Sequence, residues 1–369
     1  MIVVLLIAGF VALAYQMFAL LASILHSLRH APEPSWAPPV SILKPIHGRD
    51  QDFYAAIRSH AAQIYPEFEL LFGVREGDPA VEDIQRLQAE FPNVPIRIIQ
   101  ATTVAPNGKV GTLVDLAREA RFSVLLVNDS DILVPQGYLQ RVTSPLQDQS
   151  IGLVTCLYRA AASSLAGQWE ALGINTDFMP STLVAPLVGI REFGLGSTLC
   201  FRREDLDAIG GFASIADYIA DDYQLAKRIT RSGKPAYLSE VVVETHLSDP
   251  DWTAVWRHQV RWARTIRVSR FDGYIGLPVT HAGLWALLCF LGGLWWLGLM
   301  LCSARIITGL AAGWGVLRSS IVLRWIPAIP LWDLWAFTVW VTGLFGDRVQ
   351  WRDKQMKLTR DGRLELLKP

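Results

Sequence analysis

The chain has 369 residues, 51% of them hydrophobic and only 18% charged, with 34 basic and 34 acidic side chains in balance. Zero net charge removes the basic surplus that a nucleic-acid-binding surface needs. The four cysteines, Cys156, Cys200, Cys289 and Cys302, have neither C-x-x-C spacing nor histidines at zinc intervals, so they read as ordinary thiols of a reducing compartment.

Residues 2–25 are almost wholly apolar, with Gln16 and Ser23 the main interruptions. A bilayer needs about 20 apolar residues, so this segment is long enough to cross one. It lacks a basic leader and a small-x-small cleavage site, which predicts an uncleaved anchor over residues 1–26. Strand and helix then alternate. Strands are expected over 39–45, 68–74, 95–100 and 122–129, and helices over 52–62, 80–91 and 109–120. Continuously apolar strands alternating with helices predict an α/β fold with a parallel sheet covered on both faces. In such sheets the ligand lies beyond the carboxyl ends of the strands. This water-soluble block is expected to occupy residues 37–278.

A C-terminal membrane region is expected over 279–346. Within it, 282–302 and 329–345 read as spans, the latter tolerating Asp333. The apolar stretch 306–316 is short and is surrounded by Arg305, Arg318 and Arg324, so it should lie in the interface or re-enter. Trp285, Trp295, Trp296, Trp314, Trp325, Trp332, Trp335 and Trp340 crowd the region, as expected where rings meet headgroups. Basic residues flank the spans: Arg29 and His30 after the first, then Arg257, Arg261, Arg264, Arg267 and Arg270 before the second. The tail over 347–369 adds Arg348, Arg352, Lys354, Lys357, Arg360 and Arg363. The positive-inside rule puts all three groups in the cytosol, with an even number of crossings between the soluble block and the tail. The protein is therefore expected in a membrane, the inner one in a bacterium, with its soluble block cytosolic.

The fourth strand ends in "VNDSDILV" (127–134), where Asp129 and Asp131 lie two positions apart. Such a triplet favours a turn, but it also stands at the ligand edge of the sheet. Asp78, in "REGDPA" after the second strand, shares that edge. Converging carboxylates repel unless a cation joins them, and Mg²⁺ or Mn²⁺ held by one or two carboxylates plus a substrate diphosphate resolves the conflict. The turn and the metal readings are compatible. With no G-x-G-x-x-G turn, a metal-dependent site for a nucleoside diphosphate fits better than a dinucleotide site.

An ordered set of motifs carries a resemblance. It runs "SILKPIHG" (41–48), "GDPA", "NGK" (107–109), "NDSD", "FGLGSTLCFRREDLDAIGGF" (193–212), "YIADDYQLAK" (218–227), "HQVRWAR" (258–264) and "WRDKQMKL" (351–358). Together they resemble the ceramide glucosyltransferases of glycosyltransferase family 21, from about residue 37 to the tail. The resemblance implies a type A nucleotide-sugar transferase fold, Rossmann-like, with transmembrane helices at both ends. It implies inverting transfer of glucose from UDP-glucose to ceramide at the cytosolic face. Carried over, Asp78 would serve the uridine and ribose, Lys109 the donor, and Asp129 with Asp131 the metal and diphosphate. Asp222 would be the general base, and His258, Arg261 and Trp262 would serve the acceptor and diphosphate. Asp221–Asp222 also reads as a helix start, and 258–264 as an interfacial amphipathic helix. "GLGSTLCFRR" (194–203) would hold the donor sugar and acceptor end, or is a strand bend. Two positions depart from the family pattern: His258 replaces the first residue of (Q/R)-x-x-R-W, and Thr112 replaces an Asn. His47 and His246 carry no assigned role.

Hopanoid-biosynthesis glycosyltransferases, which transfer N-acetylhexosamine to a polyhydroxylated hopanoid, have very similar motifs, so the lipid acceptor is open between ceramide and hopanoid. A processive polysaccharide synthase would need more spans. A catalytically silent lipid-binding scaffold would not need Asp78, Asp129, Asp131 and Asp222 together. The sequence sets no oligomeric state.

Overall fold

The computed structural model describes residues 2–29, 36–351 and 354–366. In chain order come α1 (Ile2–Ser27), β1 (Val40–Pro45), α2 (Phe53–Ala61), β2 (Phe68–Val74), α3 (Ala80–Glu90), β3 (Ile96–Gln100), α4 (Gly108–Glu119) and β4 (Val124–Val127). There follow β5 (Ile132–Leu133), α5 (Tyr138–Thr143), β6 (Leu153–Ala161), α6 (Leu165–Gly173), a π-helical turn (Ile174–Phe178), α7 (Met179–Leu187), β7 (Leu199–Arg202), α8 (Arg203–Ala208), α9 (Asp221–Arg231) and β8 (Ala236–His246). The chain continues as α10 (Trp252–Ser269), α11 (Phe271–Gly276), α12 (Ala282–Leu291), α13 (Trp295–Leu310), a second π-helical turn (Ala311–Val316), α14 (Ser320–Arg324) and α15 (Ile329–Gly343). Strands β9 (Arg348–Trp351), β10 (Lys354–Leu358) and β11 (Leu364–Leu366) close it. Two compact units result. One comprises His30–Tyr158, Arg191–His246 and Met356–Pro369; the other comprises Met1–Arg29, Arg159–Ile190 and Leu247–Gln355.

The first unit holds an eight-stranded sheet of order β3-β2-β1-β4-β7-β6-β8-β5. Strands β3, β2, β1 and β4 are parallel, as their unbroken apolar runs require. Successive side chains leave a strand on opposite faces, so each run divides between two cores. Val40, Ile42, Leu70, Phe72 and Leu126 face one core with Phe53 and Ile57 of α2 and Ile84 of α3. Leu43, Leu71, Leu125 and Val127 face the other with Val110, Leu113 and Leu116 of α4. The expectation of a parallel sheet holds for these four strands only. Strand β7 runs antiparallel to both β4 and β6. Parallel neighbours need a helical crossover over the sheet, whereas the chain between β6 and β7 is committed to the other unit.

In the helical unit, α1 buries Ala12 in a cluster with Ala286, Cys289, Leu297 and Leu301. Small residues permit this approach: a Cβ on Gly9 would lie 2.8 Å from Leu297 Cδ2. Two helices among the described residues are long and apolar enough to cross a membrane, Ile2–Ser27 and Trp295–Val316. A third candidate, Phe271–Thr280 with Ala282–Leu291, is bent by 52°. The span expected over 282–302 is therefore corrected. The chain breaks at Gly292–Gly293, the latter at φ +79, a conformation that favours glycine. The stretch 306–316, expected to lie in the interface, is instead the end of the candidate span that starts at Trp295. Helix α15, at 15 residues, is shorter than the about 20 that a crossing needs.

Asp333 is tolerated because it is paired. Arg305 and Asp333 are both buried; Arg305 donates to Asp333 through Nε at 3.0 Å and Nη2 at 2.9 Å. Arg305 Nη1 also donates to Thr176 O at 2.9 Å, and Gly283 N–H donates to Asp333 at 2.7 Å. Charges inside a bilayer survive only when so satisfied. Of the basic groups that suggested orientation, Arg267 donates to Gly343 O at 2.8 Å and so caps the carboxyl end of α15. His30, Arg352 and Asp353 lie outside the described residues, and with them part of the "WRDKQMKL" ending.

Strands β10 and β11 belong largely to the unit that holds the sheet, so the tail and the sheet share one side of any membrane the helices cross. If the bent pair crosses as one span, it and Trp295–Val316 would make the even number of crossings expected between β8 and β10. Cysteines placed at Val104, which is 92% exposed, and at Asp361 should label from the same side of sealed vesicles. Labelling from opposite sides would make the number of crossings odd.

Candidate active site

The site is built on the carboxyl edge of the parallel strands. Asn107 caps α4, its side-chain oxygen accepting from Val110 N–H at 3.2 Å. Two residues on, Lys109 points its ammonium into a group of acids. Lys109 Nζ lies 2.7 Å from Asp129 Oδ1 and 3.0 Å from Asp221 Oδ2. Burial opposes its charge, but Asp129, Asp221 and Asp222 outweigh that penalty and hold the ammonium's pKa above its ordinary value.

Asp221 and Asp222 open α9, so the helix-start reading holds. They nonetheless do different things. Asp221 is the ion-pair partner of Lys109 and lies 3.5 Å from Asn107 Nδ2. Asp222 accepts two main-chain N–H groups, Gly196 at 3.0 Å on Oδ2 and Tyr223 at 2.7 Å on Oδ1. Burial first, then the neighbouring charge of Asp221, pushes its carboxyl up to about 6, against the pull of Lys109. A carboxylate with that pKa can take and return a proton near neutral pH. Gly196, in the "GLGST" segment, closes the group: a Cβ there would lie 3.0 Å from Asp129 Oδ2 and 3.5 Å from Asp222 Oδ2. The close backbone approach suggested by the small residues is thus made to the acids themselves.

Beneath the D-S-D turn lies a polar layer that the sequence reading missed. Lys44, fully buried on β1, donates to Asp129 O at 2.8 Å. Burial pushes its ammonium down to about 7, against the attraction of Asp131 and Asp129. Asn128 donates to Tyr138 OH at 2.8 Å and to Ser197 O at 2.6 Å, and its carbonyl lies 3.3 Å from His60 Nε2. Burial, then the charge on Lys44, keeps the His60 pKa well below the ordinary value, so the ring is neutral. The signal was present: a Lys inside "SILKP" and an Asn at the end of an apolar strand have no place there unless something pairs them.

Asp131 accepts from Thr245 Oγ1 of β8. Burial and the charge of Asp129 raise its pKa, with the Thr245 bond opposing. A divalent cation would relieve that strain, so the donor chemistry of Asp129 and Asp131 fits one. Among the described residues no third His, Cys, Asp or Glu completes a protein cage. Two carboxylates with substrate oxygens and water making up the remainder is the coordination that Mg²⁺ favours.

Asp78 stands apart from this group. Its Oδ2 accepts from Gly48 N–H at 2.9 Å and its Oδ1 from Ala80 N–H at 3.0 Å, tying the β1–α2 loop to the start of α3. His258, Arg261 and Trp262 lie on α10 in the helical unit. There buried Glu170 of α6 meets His258 Nδ1 at 2.5 Å and accepts from Gln259 Nε2 at 2.7 Å. The Trp262 ring lies 4.8 Å from that of His258 and 5.4 Å from that of Phe178. Glu170 explains how a His stands at the first position of the motif, and no sequence signal pointed to it. His246, left without a role, is bracketed by Asp52 at 2.6 Å and Glu244 at 2.7 Å.

Comparison with known proteins adds four findings. The model of the family described as Glycosyl transferase family 21 matches residues 4–364. Ceramide glucosyltransferase 1 of Caenorhabditis elegans is 30% identical over 220 residues, 58% of this chain and 47% of that protein. Ceramide glucosyltransferase 3 of the same nematode is 28% identical over 212 residues, 56% of this chain and 46% of that protein. The chain thus spans about half the length of these relatives. Among solved structures, a mannosyltransferase from Pyrobaculum calidifontis in complex with GDP-mannose and Mn²⁺ superposes with a TM-score of 0.54. It is 19% identical and the match covers 91% of this chain and 97% of that one, a likeness of fold.

Lys109 is the counter-charge on which the group depends. Lys109→Met should destabilise the fold, by up to about 3–5 kcal/mol for a buried pair broken on one side, read as a lower melting temperature in detergent. Adding Asp221→Asn should recover part of the loss, and no loss in the single variant would show the acids to be independent of Lys109.

Proposed function

Because the chain belongs to glycosyltransferase family 21, we propose that it is a membrane-bound inverting hexosyltransferase, moving glucose from UDP-glucose to the primary hydroxyl of ceramide at the cytosolic face. The observation that carries this reading is one pairing at the ligand edge of the sheet. A D-S-D turn suited to a metal and diphosphate stands beside an acid raised to about 6 by burial. Scaffold proteins have no use for that arrangement.

In this mechanism Asp222 takes the proton from the acceptor hydroxyl as its oxygen attacks the anomeric carbon. The bond from that carbon to the diphosphate oxygen breaks, and the configuration inverts. The two N–H groups on Asp222 aim its carboxylate. Asp129 and Asp131 would hold a divalent cation, Mn²⁺ or Mg²⁺, which neutralises the leaving diphosphate. Lys109 fixes Asp129 for that task and, by pairing with Asp221 as well, ties the D-S-D turn to the start of α9. Asp78 serves the donor by holding the β1–α2 loop. His258, Arg261 and Trp262 serve the lipid acceptor and diphosphate.

Purified protein given UDP-sugars and lipids, with products read by mass, tests the assignment. Glucosylceramide is the expected product; an N-acetylhexosaminyl hopanoid would keep the chemistry and change donor and acceptor, and no sugar transfer at all would leave a scaffold. Chelation should abolish transfer and added Mn²⁺ or Mg²⁺ restore it, whereas full activity in excess chelator would remove the metal.

Asp222→Asn should cut turnover by roughly 10²–10⁴-fold, the usual contribution of a general base, and leave the affinity for UDP-glucose unchanged. Asp78→Asn should act mainly through donor affinity. An inactive Asp221→Asn beside a normal Asp222→Asn would transfer the role of base to Asp221. The base works deprotonated, so turnover should rise with pH through about 6. Asp221→Asn removes a charge that raises the Asp222 pKa, so that limb should move to lower pH. An upward move contradicts the assignment.

A further inference from the structure

The loop that leads into the base-bearing helix is held by the far C-terminus. Strands β10 and β11 form an antiparallel hairpin in which Met356 faces Leu366, Lys357 faces Glu365 and Leu358 faces Leu364. Met356, Leu358 and Leu364 are buried while Lys357, Arg363 and Glu365 are exposed, the alternation of a hairpin with one covered face. The second arm also pairs with the segment just before α9. Leu364 N–H donates to Asp217 O at 2.7 Å, Ile219 N–H donates to Gly362 O at 3.1 Å, and Tyr218 bridges to Arg363. Gly362, at φ +85, makes the turn that allows this.

Tyr218 passes the contact on in two directions. Its ring has the Arg363 guanidinium over it at 5.5 Å and that of Arg228, on α9, at 5.4 Å. Its carbonyl accepts from Asn107 Nδ2 at 2.8 Å, and Asn107 caps the helix that carries Lys109. The tail therefore touches both flanks of the acid group through one residue.

We propose that the C-terminal hairpin is a positioning strap: docked on residues 217–219, it sets the entry of α9, and with it the place of Asp222 relative to Lys109. The proposal rests on the reading of Asp222 as the base. Arg363 and Leu364 act through Asp222, so they are positioning residues, and their loss should appear in turnover while donor binding is spared.

The test uses the full-length protein in detergent. Leu364→Pro removes the N–H donated to Asp217. Arg363→Ala removes a cation from the Tyr218 ring, and Arg363→Lys returns one. Displacing a reacting group by about 1 Å can cost on the order of 100-fold, so kcat should fall by roughly 10–100-fold in Leu364→Pro on that scale. The fall should be smaller in Arg363→Ala and partly reversed in Arg363→Lys, with the KM for UDP-glucose unchanged. If Leu364→Pro does not fold, the Arg363 pair decides alone. Wild-type turnover in these variants, beside an inactive Asp222→Asn, overturns the strap and leaves the base standing. A fully active Asp222→Asn removes the base and the strap together. A melting temperature or donor affinity that falls in step with turnover also overturns the proposal, because the hairpin would then hold the fold and not the base.

Discussion

One part-buried ammonium, that of Lys109, organises the carboxyl edge of the parallel strands. Three aspartates, from the end of β4 and the start of α9, converge on Lys109, which pairs with two of them. Their mutual repulsion would push the β4 turn and α9 apart; the ammonium reverses the sign of that force. Everything nearby serves the same arrangement. Asn107 fixes the start of the helix that delivers Lys109, and Gly196 leaves room for two carboxylate oxygens where any side chain would intrude. The residual imbalance falls on Asp222, whose carboxyl is left easier to protonate than an ordinary one. The proposed chemistry uses that imbalance.

A second layer of charge lies under the first. Lys44 reaches the main chain of Asp129 from below, and the Asn128–Tyr138 network holds the same turn from the side. Buried polar groups are costly unless satisfied, but once satisfied they specify geometry more sharply than apolar packing does. The main chain of the D-S-D turn is therefore held by fixed partners, while its carboxylates engage Lys109 and Thr245.

The helical unit applies the same rule in a less forgiving medium. Arg305 and Asp333 lock α13 to α15, and through Thr176 and Gly283 also engage the first π-helical turn and α12. Glu170 does this for His258 and Gln259 on α10. Family membership speaks for the chemistry as a class, and each of these pairs shows how this chain fixes its own geometry.

Much of the first half of the fold was legible in the sequence, because strand and helix periods are local. The apolar runs that became β1, β2, β3 and β4 and the helices between them were placed to within two residues, and the pair Asp129 and Asp131 falls just past the carboxyl end of β4. The membrane helices were less legible. Hydropathy sums over a window and cannot see that Gly292–Gly293 turns the chain, so it joined α12 to the start of α13. What the sequence could not supply was pairing across distance. That Asp221 answers Lys109 while Asp222 takes the Gly196 amide, that Asp78 holds a loop, that Glu170 seats His258, and that residues 362–364 clasp residues 217–219 depend on contacts between segments about 26 to 145 positions apart. Local propensity fixes which elements form. Only the folded chain decides which charges meet, because electrostatic partners are chosen by distance in space and not by separation along the chain.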